Sequence, residues 1–151
     1  MSLKLTNAIM EAMLAKAIAT AGPFDPVATF VCPITAVVDN GAATVQADVT
    51  RGIGDLAVGL AVTTWGPTHK LNDGRWAVDS PLLSWSPADS TEAQVVIGYE
   101  LSTTNAGGTL KGFEVTGAPV PLVDEFSLYG VVVRVCIDPA GNFGVAVVVD
   151  G

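Results

Sequence analysis

From residue 23 onward, apolar and polar positions alternate in short runs, and Gly, Pro and Asn punctuate them. Val45, Ala47 and Val49 share one face of such a run, with Gln46, Asp48 and Thr50 on the other. Val95, Ile97, Tyr99 and Leu101 align in a second run. Tyr129, Val131, Val133, Val135 and Ile137 align in the longest, over Phe126 to Ile137, and Phe143, Val145, Val147 and Val149 return. A period of two is the mark of a strand with one face on a core. Shorter runs cover Ala28 to Cys32, Thr35 to Asp39, Ala57 to Trp65, His69 to Leu71, Arg75 to Val78, Leu82 to Ser86 and Leu110 to Val115. Turns are expected at Asn40-Gly41, Asn72-Asp73-Gly74 and Asp138-Pro139-Ala140-Gly141-Asn142, where Gly or Asn takes positive φ and Pro pre-sets the first turn position. The segment Gly117 to Pro121 carries two prolines, which offer no amide to a ladder. It belongs on a sheet edge or in a crossover.

Before residue 23 the period is different. Leu3, Ile9, Met10, Met13, Leu14, Ala17 and Ile18 recur at steps of three and four, which predicts one amphipathic helix over residues 3 to about 20. Gly22-Pro23 ends it. The pattern as a whole predicts a mainly β protein: an antiparallel β-sandwich or jelly-roll-like barrel with one N-terminal amphipathic helix. It divides the chain into a helical arm, 1–22, and a β-sandwich domain, 23–151. The helix docks either on its own sheet or on a neighbouring subunit.

Composition sharpens this picture. The chain has 151 residues, enough for one domain. Half are apolar and only 15% are charged, below the ~25% usual for soluble domains. Either both faces of a sheet are buried or part of the surface meets another protein. The net charge is -8 and the seven Lys and Arg are scattered, which argues against nucleic-acid partners. No apolar run reaches the ~18 residues of a membrane-spanning helix. The N-terminus does not read as a secretion signal, because Asn7, Glu11 and Lys16 interrupt it.

Candidate chemistry is sparse. Cys32 and Cys136, 104 residues apart, fit no metal motif. They read as buried thiols, with a disulfide as the alternative. His69 reads as a solvated loop residue. Gly52-Ile53-Gly54 lacks the following helix that a dinucleotide cradle needs. Asp39, Asp48, Asp55, Asp73 and Asp79 lack the spacing of a calcium loop. Asp124 and Glu125 are adjacent and point to opposite faces of a strand. Glu100 and Glu114 are expected to face each other on exposed strand faces. No catalytic, cofactor-binding or metal-binding residue is therefore assigned. Asn105-Ala106-Gly107-Gly108 reads as a hairpin bend with a loop longer than two residues, Thr103 to Asn105 satisfying its backbone.

The strand Ile97-Gly98-Tyr99-Glu100-Leu101-Ser102 is followed by a small-residue loop, Thr109-Leu110 and the acidic Glu114. Pro119-Val120-Pro121-Leu122 and the run Leu128 to Val135 come next, while Val62 to Trp65 and the helix precede it. This order resembles short β-rich structural proteins of tailed bacteriophages. It departs from their pattern at Gly112-Phe113, near an expected Trp, and at Tyr99-Glu100, where a Tyr pair is expected. The resemblance implies a non-enzymatic virion component without cofactors. It would be a capsid cement or decoration protein, or a tail-associated piece, made in the host cytoplasm. Its partners would be itself, as a homo-oligomer, and other virion proteins such as the major capsid protein, with no nucleic acid or membrane. The expected assembly interface is Ile9, Met10, Met13, Leu14 and Ile18. The competing reading is a carbohydrate- or ligand-binding β-sandwich that uses Trp65, Trp76 or Trp85 as platforms.

Overall fold

The structure, a computed structural model, describes residues 3–37, 49–51, 57–85, 95–105, 107–121 and 129–150. It contains helix α1 (Asn7–Ala17) and ten strands: β1 (Phe30–Val37), β2 (Val49–Arg51), β3 (Leu60–Ala61), β4 (His69–Lys70), β5 (Trp76–Asp79), β6 (Leu83–Trp85), β7 (Val95–Thr104), β8 (Gly107–Pro121), β9 (Tyr129–Ile137) and β10 (Phe143–Asp150). The strands form two antiparallel sheets of five. One has the order β2-β1-β7-β8, with β3 also on β1. The other has the order β10-β9-β5-β4, with β6 also on β9. The fold is the expected mainly β sandwich with one N-terminal helix.

The two sheets share a core. Val31, Tyr99 and Leu101 of the first sheet meet Leu83, Trp85, Val131 and Val133 of the second. The rings of Trp85 and Tyr99 lie 5.9 Å apart at a tilt of 36°, within the range of favourable aromatic pairs. The inward row of β9 then continues past the first sheet. Val135 and Ile137, with Val78 of β5, receive Met10 and Leu14 of α1. One face of the second sheet thus packs on the first sheet at one end and on the helix at the other. Trp65 packs against both clusters and joins them.

The helix is shorter than its periodicity predicts. Thr6 caps it, its Oγ1 accepting from Ile9 N at 3.4 Å. After Ala17 the chain folds back, and Phe24 N donates to the Ala17 carbonyl at 2.9 Å. A Cβ at Gly22 would lie 2.6 Å from that carbonyl oxygen and 2.7 Å from that of Lys16. Only glycine fits this close approach. The helix docks on its own sheet, as one of the two expectations held.

Several strands differ from the sequence reading. The runs on either side of Pro33 form the single strand β1. On one side β3 pairs with Phe30 and Val31, and β2 pairs from Ile34 onward. Pro33, which has no amide to donate, falls in the gap between them. The run Ala57 to Trp65 yields only the two-residue β3, and Thr63 has φ 67, which breaks an extended chain at a β-branched residue. The β7–β8 ladder reaches closer to the hairpin tip than expected: Thr104, read as a loop residue, pairs with Gly107. His69 lies in β4, in line with the run His69 to Leu71 and not with its reading as a loop residue. The prolines of Gly117 to Pro121 lie in β8, at the end of the sheet order, where a missing amide is tolerated. The expected turn at Asn40-Gly41, the alternating face of Val45 and Ala47, and residues 52–56 and 122–128 lie outside the described residues.

Candidate interaction surface

A helix with its side chains is about 10 Å across, while strands lie about 4.8 Å apart. One helix therefore covers about two strands. Here α1 sits over β5 and β9. The inward row of β10 continues the same face, since Phe143 pairs with Ile137 and Val145 with Val135. It lies beyond the reach of the helix. Phe143 is 43% exposed and Val145 38%.

The helix supplies the other wall. At 100° per residue, Met10, Leu14 and Ala17 share the inward stripe and are buried. Ile9, Met13 and Lys16 form the adjacent stripe along the flank. Ile9 is 48% exposed. Met13, Lys16, Ala17, Pro23 and Phe143 line an open, apolar groove of about 390 Å³. The groove lies between the flank of the helix and the start of β10.

Its rim is cationic. Among the described residues Lys16 pairs with no carboxylate. Behind Pro23, the Lys111 amine donates to the Pro23 carbonyl at 2.7 Å and to Thr29 Oγ1 at 2.9 Å. Burial holds the Lys111 ammonium below its ordinary range, and Asp25 partly offsets this. Asp25 is itself committed to backbone, accepting from Ala21 N at 2.8 Å and Val27 N at 3.1 Å.

Several other charged groups among the described residues are tied up within the fold. Glu100 is fully buried, not on an exposed strand face, and Tyr99, not Glu100, pairs with Glu114. Arg51 bridges to Glu100, donates to Ser102 Oγ and the Ala57 carbonyl, each at 3.1 Å, and reaches the Asn105 carbonyl. Cys32 stands opposite Glu100 in the register. Burial pushes its thiol up to about 12, with Arg51 pulling it down and Glu100 pushing it further up. On the outer face of the second sheet, Arg134 holds Asp79 at 2.7 and 3.1 Å and His69 Nε2 lies 3.7 Å from it. The Arg134 bond keeps the Asp79 carboxyl below its usual range. Arg75 pairs with Asp73 and lies 3.2 Å from Cys136 Sγ. Cys32 and Cys136 are both free and buried, one in each sheet. No group of three or more His, Cys, Asp or Glu among the described residues could hold a metal, and no helix among them is long and apolar enough to cross a membrane.

The expected interface residues divide. Met10 and Leu14 are core, so their side chains are taken by the protein's own sheet. Met13 and Ile18 are partly buried against the same cluster, and Ile9 is open. Trp85 is buried, its indole N–H donating to the Val58 carbonyl at 2.9 Å. Trp65 donates to the Phe24 carbonyl at 2.9 Å and Trp76 to Asn7 Oδ1 at 3.2 Å, and both are half-buried. The sequence reading missed Phe143, Val145, Lys16 and Pro23 as surface-forming residues. The alternation of β10 marked an inward row but not that the helix leaves it uncovered.

No protein-family model, curated protein or solved structure matches this chain.

Proposed function

We propose that this chain is a non-enzymatic structural component of a tailed-phage virion, a capsid cement or decoration protein or a tail-associated piece, that works by assembly. The observation that carries the reading is the open apolar groove in which Phe143 of β10 meets Met13 of α1, together with the exposure of Val145 on the same row of β10 and of Ile9 on α1. Apolar surface of this kind gains about 25 cal/mol for each Å² removed from water, which a neighbouring subunit supplies. Low overall charge and the resemblance at residues 97 to 122 support the same reading. So does the commitment of Glu100, Asp79, Arg51 and Arg134 to internal ion pairs.

The chain is expected to self-associate. Native mass spectrometry of the purified protein over a rising concentration series should show oligomers replacing monomer. A monomer at every concentration, alone and with purified capsid, would remove the reading.

A further inference from the structure

We infer that α1 is an exchangeable arm: a hinge at residues 18–22 opens, and the helix docks on the second sheet of another copy in place of that copy's own helix. The inference rests on the assembly reading above and names its mechanism. The helix stands apart from the main core. The cluster between the sheets holds no residue of α1. The helix builds a second cluster, in which Met10 and Leu14 meet Val78, Val135 and Ile137. Its polar links to the sheet are also its own. Trp76 Nε1 donates to Asn7 Oδ1 at 3.2 Å, Thr68 Oγ1 to Glu11 Oε1 at 2.9 Å, and Leu5 N to the Pro139 carbonyl at 2.7 Å. Every one of these contacts re-forms when the helix comes from a second copy. The face is shaped for this helix, and each copy carries one.

The hinge is where local preference and the closed fold disagree. The apolar period runs to about residue 20, and Ala19 and Ala21 favour continuing the helix past Ala17. The closed chain turns back instead. Ala21 takes φ 65, a left-handed conformation in which its Cβ crowds the following carbonyl oxygen. The buried Asp25 carboxylate accepts from Ala21 N at 2.8 Å, and the Ala17 carbonyl from Phe24 N at 2.9 Å. Beyond Gly22 the connector is fixed to its own sandwich. Lys111 of β8 donates to the Pro23 carbonyl, Trp65 to that of Phe24, Thr63 N to that of Pro26 and Val62 N to that of Thr29. Only residues 18–22 need to change. Opened, they lengthen α1 as the periodicity predicts, and the strain at Ala21 is released. Asp25 keeps its bond from Val27 N and the nearby Lys111 charge. A short hinge under strain, closing an element that another copy can replace, favours exchange.

Ala21→Gly relieves the closed hinge and weakens the lengthened helix. It should favour the closed form by about fivefold per chain, and because two hinges open in an exchanged dimer, the dissociation constant should rise about 25-fold. Sedimentation equilibrium of the full-length variant and wild type reads this directly. The exchange itself is read with Thr68→Lys, a surface change that sets an amine against the Glu11 carboxylate. Isotope-labelled and unlabelled chains of this variant are incubated together and then coupled with a carbodiimide. The oligomer fraction should yield cross-links between Glu11 and residue 68 that join a labelled peptide to an unlabelled one. If those cross-links always join peptides of the same isotope, or if Ala21→Gly associates like wild type, the arm is not exchanged, while the assembly reading stands. If the wild-type chain itself never associates, both fall together. Circular dichroism melts of each variant confirm that the sandwich is intact.

Discussion

Arg51→Ala is expected to cost about 3 to 5 kcal/mol, the usual penalty for removing one partner of a buried ion pair. That is a large share of the roughly 5 to 15 kcal/mol that holds a typical domain together. The Glu100 side chain is 0% exposed and that of Arg51 only 11%. Deleting the guanidinium leaves a carboxylate without its cation inside the protein. It also removes the donor that reaches the Ala57 and Asn105 carbonyls. The loss should appear in urea titrations followed by tryptophan fluorescence as a lower midpoint with little change in slope. The double variant Arg51→Met, Glu100→Leu should recover most of it, because two apolar side chains of similar size avoid the desolvation cost. A single variant within 1 kcal/mol of wild type would mean that the pair is open to water.

Alkaline pH is expected to destabilise the protein through Cys32. The ordinary thiol value is 9.0 and the folded value is about 12. Below pH 9 both states carry the proton and the thiol has no effect. Between pH 9 and 12 the unfolded chain releases a proton that the folded chain keeps, so stability falls as pH rises. The slope is about 1.4 kcal/mol per pH unit, and about 4 kcal/mol is lost across the window. Lysines and tyrosines also titrate there, so the comparison that isolates Cys32 is with Cys32→Ala, under reducing conditions. The variant loses a constant amount for its smaller side chain, but its stability should fall less steeply between pH 9 and 10.5. Parallel slopes for the two proteins would show that the thiol is not buried in the way described.

Both effects arise on a face that the sequence pattern misjudges. Alternation correctly sends Tyr99 and Leu101 into the core between the sheets, and it correctly puts Glu100 and Ser102 on the other face. It cannot say that this other face is covered too. Cys32, Ile34, Glu100 and Ser102 are all fully buried, so the low charge content is met at least in part by burying both faces of β1 and β7. The strong alternation of β9 and β10 was legible for a simple reason: the side chains of Val131, Val133, Val135 and Ile137 pack into apolar clusters, and a period of two is all such a strand needs. The break at Thr63 was not legible, because a β-branched residue with positive φ runs against local preference and is held there by its surroundings.

The surface proposed for assembly was half legible. Periodicity found the apolar stripe of α1 but could not tell which part of it faces the protein's own sheet. Met10 and Leu14 answer to the sheet, and Ile9 and Met13 to the flank. That division depends on where the helix axis lies over β5 and β9, a tertiary fact with no local signature. The groove lies between the flank of α1 and the start of β10, and that juxtaposition is not written in the sequence of a single element.

The measurement that tests the central claim most directly is quantitative peptide mass spectrometry of phage particles purified from the source of this sequence, counting the chain against the major capsid protein. The account predicts that the chain is a particle component. A number close to that of the capsid protein identifies a cement or decoration protein, and a few copies identify a tail or vertex piece. Its absence from particles whose other proteins are fully covered would contradict the account.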